Sequence, residues 1–111
     1  MAGDELVDVG LVRRRLLRRA ARVLVFVLDE HGDLPVLTWT VTPDVLQAHV
    51  DVCDLDPGRD RRVFGVWADA LPASEGRDPE PVLDDAGVTH LRVVRRFNGV
   101  PVVLTAAVHP F

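Results

Sequence analysis

Val88-Thr-His-Leu-Arg-Val-Val-Arg-Arg-Phe-Asn-Gly-Val-Pro-Val-Val-Leu-Thr-Ala-Ala-Val108 carries the strongest local structural code in the chain. Two β-prone runs are joined by Asn98-Gly99, residue types that tolerate the positive φ angles a type I′ turn demands. A two-residue loop fixes the register: Phe97 faces Val100, Arg95 faces Val102, Val93 faces Leu104 and Leu91 faces Ala106. One face of the hairpin then reads Leu91, Val93, Val102, Leu104 and Ala106. The other reads His90, Arg92, Val94, Arg96, Val103 and Thr105. The hairpin defines a fold and a core, and by itself no chemistry.

Immediately before it, residues 73–87 are polar and interrupted by Pro79 and Pro81, with five acids (Glu75, Asp78, Glu80, Asp84, Asp85) against Arg77. They read as a long acidic loop, of the kind that is often mobile or functional in a small domain. Asp56-Pro57 reads as an N-cap followed by proline at the first helical position. The helix it opens runs to about Leu71, where Pro72 stops it. Val63, Phe64, Trp67, Ala68 and Leu71 form its buried stripe, with Arg59, Asp60, Arg62 and Asp69 elsewhere.

Further upstream, Leu34-Pro-Val-Leu-Thr-Trp-Thr-Val41 alternates with Leu37, Trp39 and Val41 on one face. Thr42-Pro43-Asp44-Val45 is turn material. Leu46-Gln-Ala-His-Val-Asp-Val-Cys53 alternates again, with Leu46, Ala48, Val50 and Val52 inward. A four-residue loop places Trp39 opposite Ala48, a large residue against a small one. Residues 10–30 predict a helix in which Val12, Leu16, Leu17, Ala20, Ala21, Leu24, Val27 and Leu28 recur at spacings of three and four. Gly32 suits its C′ position, and Pro35 prevents resumption. The alternative is that residues 23–28 form a strand, since β-branched residues alternate there. Residues 1–9 are short and acidic and read as a flexible terminus.

The expected architecture is α+β: one domain over residues 10–111, a two-layer sandwich in the order αββαββ. Four mostly antiparallel strands form the sheet, and both helices cover one of its faces. Trp39, Val50, Phe64, Trp67, Leu91, Val93 and Leu104 should centre the core.

Composition bounds the rest. The chain has 111 residues, 48% hydrophobic and 27% charged, which suits one globular domain. All 13 basic residues are Arg, and Lys, Ile and Tyr are absent. That bias fits a GC-rich genome and is not by itself a sign of phosphate binding. A net charge of −4 disfavours a protein that coats nucleic acid, although residues 13–22 hold six Arg and no acid. Cys53 is the lone cysteine, so neither an internal disulfide nor a cysteine metal cluster can form. The acidic start and the lack of a long apolar run argue against a secretory signal or membrane span, and a cytoplasmic location is expected.

Two surfaces compete for function. On the face opposite the core, Thr38, Thr40, Gln47, His49, Asp51, His90, Arg92, Arg96 and Thr105 project together. His49, Asp51 and His90 would form a metal site or acid–base pair if they converged. Two His and one Asp is a sufficient ligand count, but a solvated antiparallel sheet face ordinarily looks the same. Val94 and Val103, apolar on that face, point instead to a partner, with Arg92 and Arg96 beside them. An RNA-recognition sheet would carry exposed aromatics there, and this one has none. The second surface is the first helix, where Arg13, Arg14, Arg15, Arg18, Arg19 and Arg22 could grip phosphates. They spread around most of its circumference, which suits a solvated helix better. Nucleophilic chemistry has little foothold: Ser74 lacks a Gly-x-Ser-x-Gly setting, and Cys53 lies beside acids that raise its pKa. His31 and His109 stand at element ends and read as surface residues.

Leu34-Pro35 with Trp39, Val63-Phe64 with Trp67-Ala68 and Leu71, His90-Leu91, and Val102 with Ala107 and Pro110 form a layout covering roughly residues 11–110. It resembles short uncharacterised proteins of high-GC actinobacteria and their mobile elements. Their pattern is a Leu-Pro-x-x-x-Trp strand, a Trp-Ala helix and a closing hairpin. The resemblance implies the αββαββ order and brings no activity, cofactor or site residue with it. The expectation is therefore a non-enzymatic adaptor or regulator without a cofactor. It would bind a protein partner or itself as a homodimer, through Val94 and Val103 or through the edge of the strand ending at Val108. A nucleic-acid-binding regulator using the Arg-rich helix is the alternative, and a metal-dependent or acid–base enzyme is third.

Overall fold

The computed structural model describes residues 2–52, 56–71 and 78–110. Seven elements follow in order: α1 (Ala2–Glu30), β1 (Thr38–Val41), β2 (Leu46–His49), α2 (Pro57–Ala70), β3 (Val82–Leu83), β4 (Thr89–Phe97) and β5 (Val100–Val108). The class is α+β, with two helices against one sheet. The sheet has five strands, not four, in the order β1-β2-β5-β4-β3, and is mixed: three of its pairings are antiparallel and one, β2 with β5, is parallel. The extra strand, β3, arises within the stretch expected to be loop. Val82 and Leu83 pair with His90 and Thr89 across the Asp84 turn.

Both hairpin registers follow the sequence. Asn98 and Gly99 take positive φ (49° and 78°), and β4 meets β5 from Phe97↔Val100 to Thr89↔Val108. Trp39 lies opposite Ala48, across a turn closed by the Thr42 N–H donating to the Val45 carbonyl at 3.1 Å. The first two strands are shorter than the alternating pattern suggests. Pro35 has no N–H to donate to a ladder, and pairing with β1 stops at Thr38↔His49. Beyond β2, the Val50 N–H still donates to the Thr105 carbonyl at 3.0 Å.

The two hairpins join through a parallel pairing of β2 with β5, Leu46↔Val102 to His49↔Thr105. β5 is therefore central, with a neighbour on each side, and is not the edge strand expected from the sequence. The terminal strands of the sheet are β1 and β3, and β3 covers only Thr89 and His90 of β4, so the outer edge of β4 from Leu91 to Phe97 has no strand neighbour among the described residues.

Burial alternates strictly along β5, and the inward face is apolar throughout. Leu46, Ala48, Leu91, Val93, Val102 and Leu104 meet Val63, Trp67 and Leu71 from α2 and Ala20, Val23 and Val27 from α1. Trp39 and Phe64, expected at the centre, lie partly buried at its margin. Trp67 anchors the layers. Its Nε1–H donates to the Pro35 carbonyl at 2.7 Å, and Trp39 and His31 stand edge-on to its ring at 5.7 and 5.8 Å. His31 is thus half-buried against an aromatic rather than a plain surface residue.

α2 is capped as the sequence predicts, Asp56 Oδ1 accepting from the Arg59 N–H at 3.0 Å. Asp60 departs from expectation. Its position in the first turn lies against the core, only 1% exposed, with Arg59 at 3.6 Å and the helix's positive end beside it. Residues 23–28 are helical, so tertiary packing of Val23 and Val27 overrides their β preference. α1 also starts eight residues before the predicted boundary, and residues 2–9 are helix rather than a flexible terminus. A single glycine at position 10 costs a helix only about 1 kcal/mol and does not stop it. Gly32 does not adopt the left-handed conformation expected of a C′ residue. The helix ends instead through the His31 N–H donating to Val27 and Leu34 N–H to His31.

The alternation along β5 yields a direct test. Leu104→Ala should lower unfolding free energy by about 2–5 kcal/mol, because the inward site is fully buried. Val103→Ala, one residue away on the opposite face, should change it by under about 1 kcal/mol. Urea midpoints at constant m-value distinguish the two, and equal losses would contradict the assigned faces.

Candidate functional site

Both helices pack on one face of the sheet, the other is uncovered among the described residues, and its cross-strand rows follow from the register. One row runs Thr38, His49, Thr105, Arg92; the next runs Thr40, Gln47, Val103, Val94. Val94 and Val103 are directly opposed and half-buried. Arg92 and Arg96 flank Val94 two residues away on either side, both exposed, and neither is ion-paired with a described side chain. All four residues predicted to contact a partner thus converge on one patch. Beside it lies a shallow depression of about 290 Å³ lined by Thr38, Thr40, Gln47, His49, Val103 and Thr105.

His49, Asp51 and His90 do not converge. β5 separates β2 from β4, so His49 and His90 stand about two strand spacings, ~10 Å, apart. Each takes a different partner. His49 Nδ1 lies 2.8 Å from Thr105 Oγ1, Asp51 Oδ1 accepts from Thr38 Oγ1 at 2.6 Å, and His90 Nε2 lies 2.9 Å from Asp84 Oδ2. Among the described residues, no group of three or more His, Cys, Asp or Glu side chains is placed to hold a metal ion. The Thr105–His49 pair supplies two members of a nucleophilic triad, but the nearest carboxylate by sequence, Asp51, is engaged with Thr38. Cys53 and Ser74 lie outside the described residues. No described helix is long and apolar enough to cross a membrane.

Two acids were not singled out from sequence. Asp84 organises the turn before β4. Its Oδ1 accepts from the Ala86 and Val88 N–H groups at 2.9 and 3.0 Å, and Gly87 supplies the positive φ of 82°. The run Asp84-Asp-Ala-Gly87 carries that turn chemistry in its residue types. Asp78 reaches the inward face, where Arg95 is the lone charge among the inward residues of β4. Arg95 Nη1 and Nη2 donate to Asp78 Oδ1 and Oδ2 at 2.7 and 3.2 Å, a bidentate pair. The hydrogen bond from Arg95, reinforced by its charge, holds the Asp78 carboxyl below its ordinary value. Hydrogen bonding from His90, then from the Val88 N–H, does the same for Asp84.

The arginines of α1 are all exposed, and none is ion-paired with a described side chain. At 100° per residue, Arg14, Arg15, Arg18, Arg19 and Arg22 fall within an arc of about 140°, roughly opposite the buried Ala20, Val23 and Val27. These five form an outward stripe, and Arg13 lies about 100° outside it, so that the six together span about two thirds of the circumference. Arg18 and Arg22 rim a groove of about 420 Å³ floored by Ala21 and Val25.

No protein-family model, curated protein or solved structure matches the chain.

The two depressed carboxyls give stability a defined acid dependence. A carboxylate with a lower pKa folded than unfolded stabilises the fold above the ordinary Asp value. That contribution disappears as pH falls through the depressed folded value. Asp78→Asn should therefore cost about 1–2 kcal/mol at pH 7, the half-exposed carboxylate being partly screened. Combined with Asp84→Asn, it should flatten the loss of stability below about pH 4. Thermal unfolding followed from pH 7 to pH 2 reads both, and an unchanged acid limb would refute the assignment.

Proposed function

We propose that the chain is a small non-enzymatic protein–protein interaction domain whose uncovered sheet face docks a partner. The observation that carries this reading is the Val94–Val103 pair, apolar and half-buried on a face that no described element covers. An apolar centre rimmed by cations has the anatomy of a docking patch. Arg92 and Arg96 select for a partner that brings apolar side chains flanked by carboxylates. No step of catalysis enters this reading; His49, Asp51 and His90 each take a separate partner.

A second reading, a nucleic-acid-binding regulator, is favoured by one specific observation. Five of the six α1 arginines share an outward arc and lack described ion-pair partners. Phosphate contacts of that kind give affinity that falls steeply with salt.

Tagged protein recovered from host lysate, with and without nuclease, separates the two. The docking reading expects a stoichiometric protein that survives nuclease and is lost on joint Val94→Glu and Val103→Glu substitution, with the melting temperature retained. Retention by that variant, or no protein recovered at all, would overturn it. Recovery abolished by nuclease and by Arg14→Glu with Arg18→Glu would establish the second reading. In that case duplex binding measured by anisotropy should weaken about 10-fold or more between 50 and 200 mM salt.

A further inference from the structure

The outward side of α1 carries an ordered pattern of its own. Leu11, Arg14, Arg18, Ala21, Val25 and Leu28 follow one another at spacings of three and four, the repeat by which one helix presents a seam to another. At 100° per residue they fall within an arc of about 100°, on the side of the helix away from the buried Ala20, Val23 and Val27. The seam is about 26 Å long. Leu11, Val25 and Leu28 are 45, 59 and 44% exposed, and Arg14 and Arg18 are exposed with them. The groove rimmed by Arg18 and Arg22 lies on this seam, its floor set by the small Ala21 beside Val25.

The charges on and beside the seam say what packs there. No acid occurs from position 9 to position 28, so α1 offers its arginines no carboxylate one turn away. Arg14 with Arg18, Arg18 with Arg22, and Arg15 with Arg19 are like-charged pairs four residues apart, which work against the helix. None of these arginines is ion-paired with a described side chain. Seam-to-seam packing of two copies, parallel or antiparallel, gathers the arginines of both and adds no carboxylate within the seam. The phosphates of a nucleic acid would engage the arginines and leave Leu11, Val25 and Leu28 in water. A bilayer surface suits a helix whose cations and apolar residues lie on separate faces, whereas here they share one line. A helix with carboxylates set into its apolar stripe satisfies both. We infer that this seam docks an acidic amphipathic helix of a partner protein, its carboxylates on Arg14 and Arg18 and its apolar side chains over Ala21, Val25 and Leu28. The seam is separate from Val94 and Val103, and docking on either surface stands without the other.

Two labelled synthetic helices of about 25 residues serve as probes. Their seam positions read Leu-Leu-Leu-Glu-Glu-Leu for antiparallel docking, or the reverse order for parallel docking. One of the two is expected to bind the full chain in fluorescence anisotropy, and replacing its seam Glu residues by Gln should weaken binding by about 10-fold or more. Arg14→Glu with Arg18→Glu should weaken it equally, and a probe carrying Arg in place of those Glu residues should restore binding to that variant. Val25→Ser with Leu28→Ser should cost about 10-fold in affinity and leave the melting temperature unchanged, both side chains being exposed. Val94→Glu with Val103→Glu should have no effect on the probe. Loss of binding in that variant alone would place the helix on the sheet face and overturn the assignment to α1. Binding of neither probe overturns it and leaves the sheet-face reading intact. Equal affinity for a probe of the same composition with the three-and-four spacing scrambled overturns it as well, because attraction to any polyanion would account for that. Binding of duplex DNA, or of phosphatidylglycerol vesicles, in place of the probes does so too, the former in favour of the nucleic-acid reading.

Discussion

The parallel pairing of β2 with β5 is the constraint on which the rest of the structure depends. Each hairpin alone is a two-stranded unit of the kind that is marginal in water. Setting Ala48 beside Leu104 and Leu46 beside Val102 makes one sheet of them and doubles the apolar surface available to the helices. A parallel neighbour cannot be reached by a tight turn and needs a long crossover. Here the crossover contains α2, which returns across the inward face, so that Val63, Trp67 and Leu71 close over the strands it connects. The Trp67 indole then pins the segment before β1 through the Pro35 carbonyl. Crossover and first hairpin are held by one side chain.

That central position of β5 also decides where function can reside. Its inward residues, Val102, Leu104 and Ala106, are fully enclosed, and its outward residues, Val103 and Thr105, form the middle of the uncovered face. A patch centred on Val94 and Val103 is therefore backed by the most deeply buried part of the core. The same placement keeps His49 and His90 apart, because β5 runs between their strands. One topological fact assembles the apolar patch and dismantles the proposed metal site.

What was legible in sequence was local. Asn98-Gly99 specified the β4–β5 turn and hence nine cross-strand pairs, and Asp56-Pro57 specified the start of α2. Two-period alternation assigned the middle of β5, Val102 to Ala106, to its correct faces. The parallel pairing left no such mark, since it joins strands more than fifty residues apart and is set by which apolar faces match. β3 was hidden for a related reason: two residues are too few to show a period, and Val82-Leu83 becomes a strand only through the turn that Asp84 holds. Arg95 was the one visible anomaly, a cation at an inward position, and its explanation lay in Asp78, seventeen residues upstream in a stretch of unpatterned acids. The candidate patch was readable because it is a property of one hairpin. The three-residue polar cluster was not, because its geometry depended on strand order.

The two surfaces lie on opposite sides of the sheet. α1 packs on the inward face with α2, whereas Val94 and Val103 point the other way. A molecule docked on Val94 and Val103 would therefore leave the helix layer undisturbed, because the contacts that hold the layers together, the Trp67 indole on the Pro35 carbonyl among them, lie on the other side of the sheet. Alternation along β5 separates the two demands: Val102, Leu104 and Ala106 are enclosed by the core, while Val103 and Thr105 on the outer face can change without opening a cavity in it.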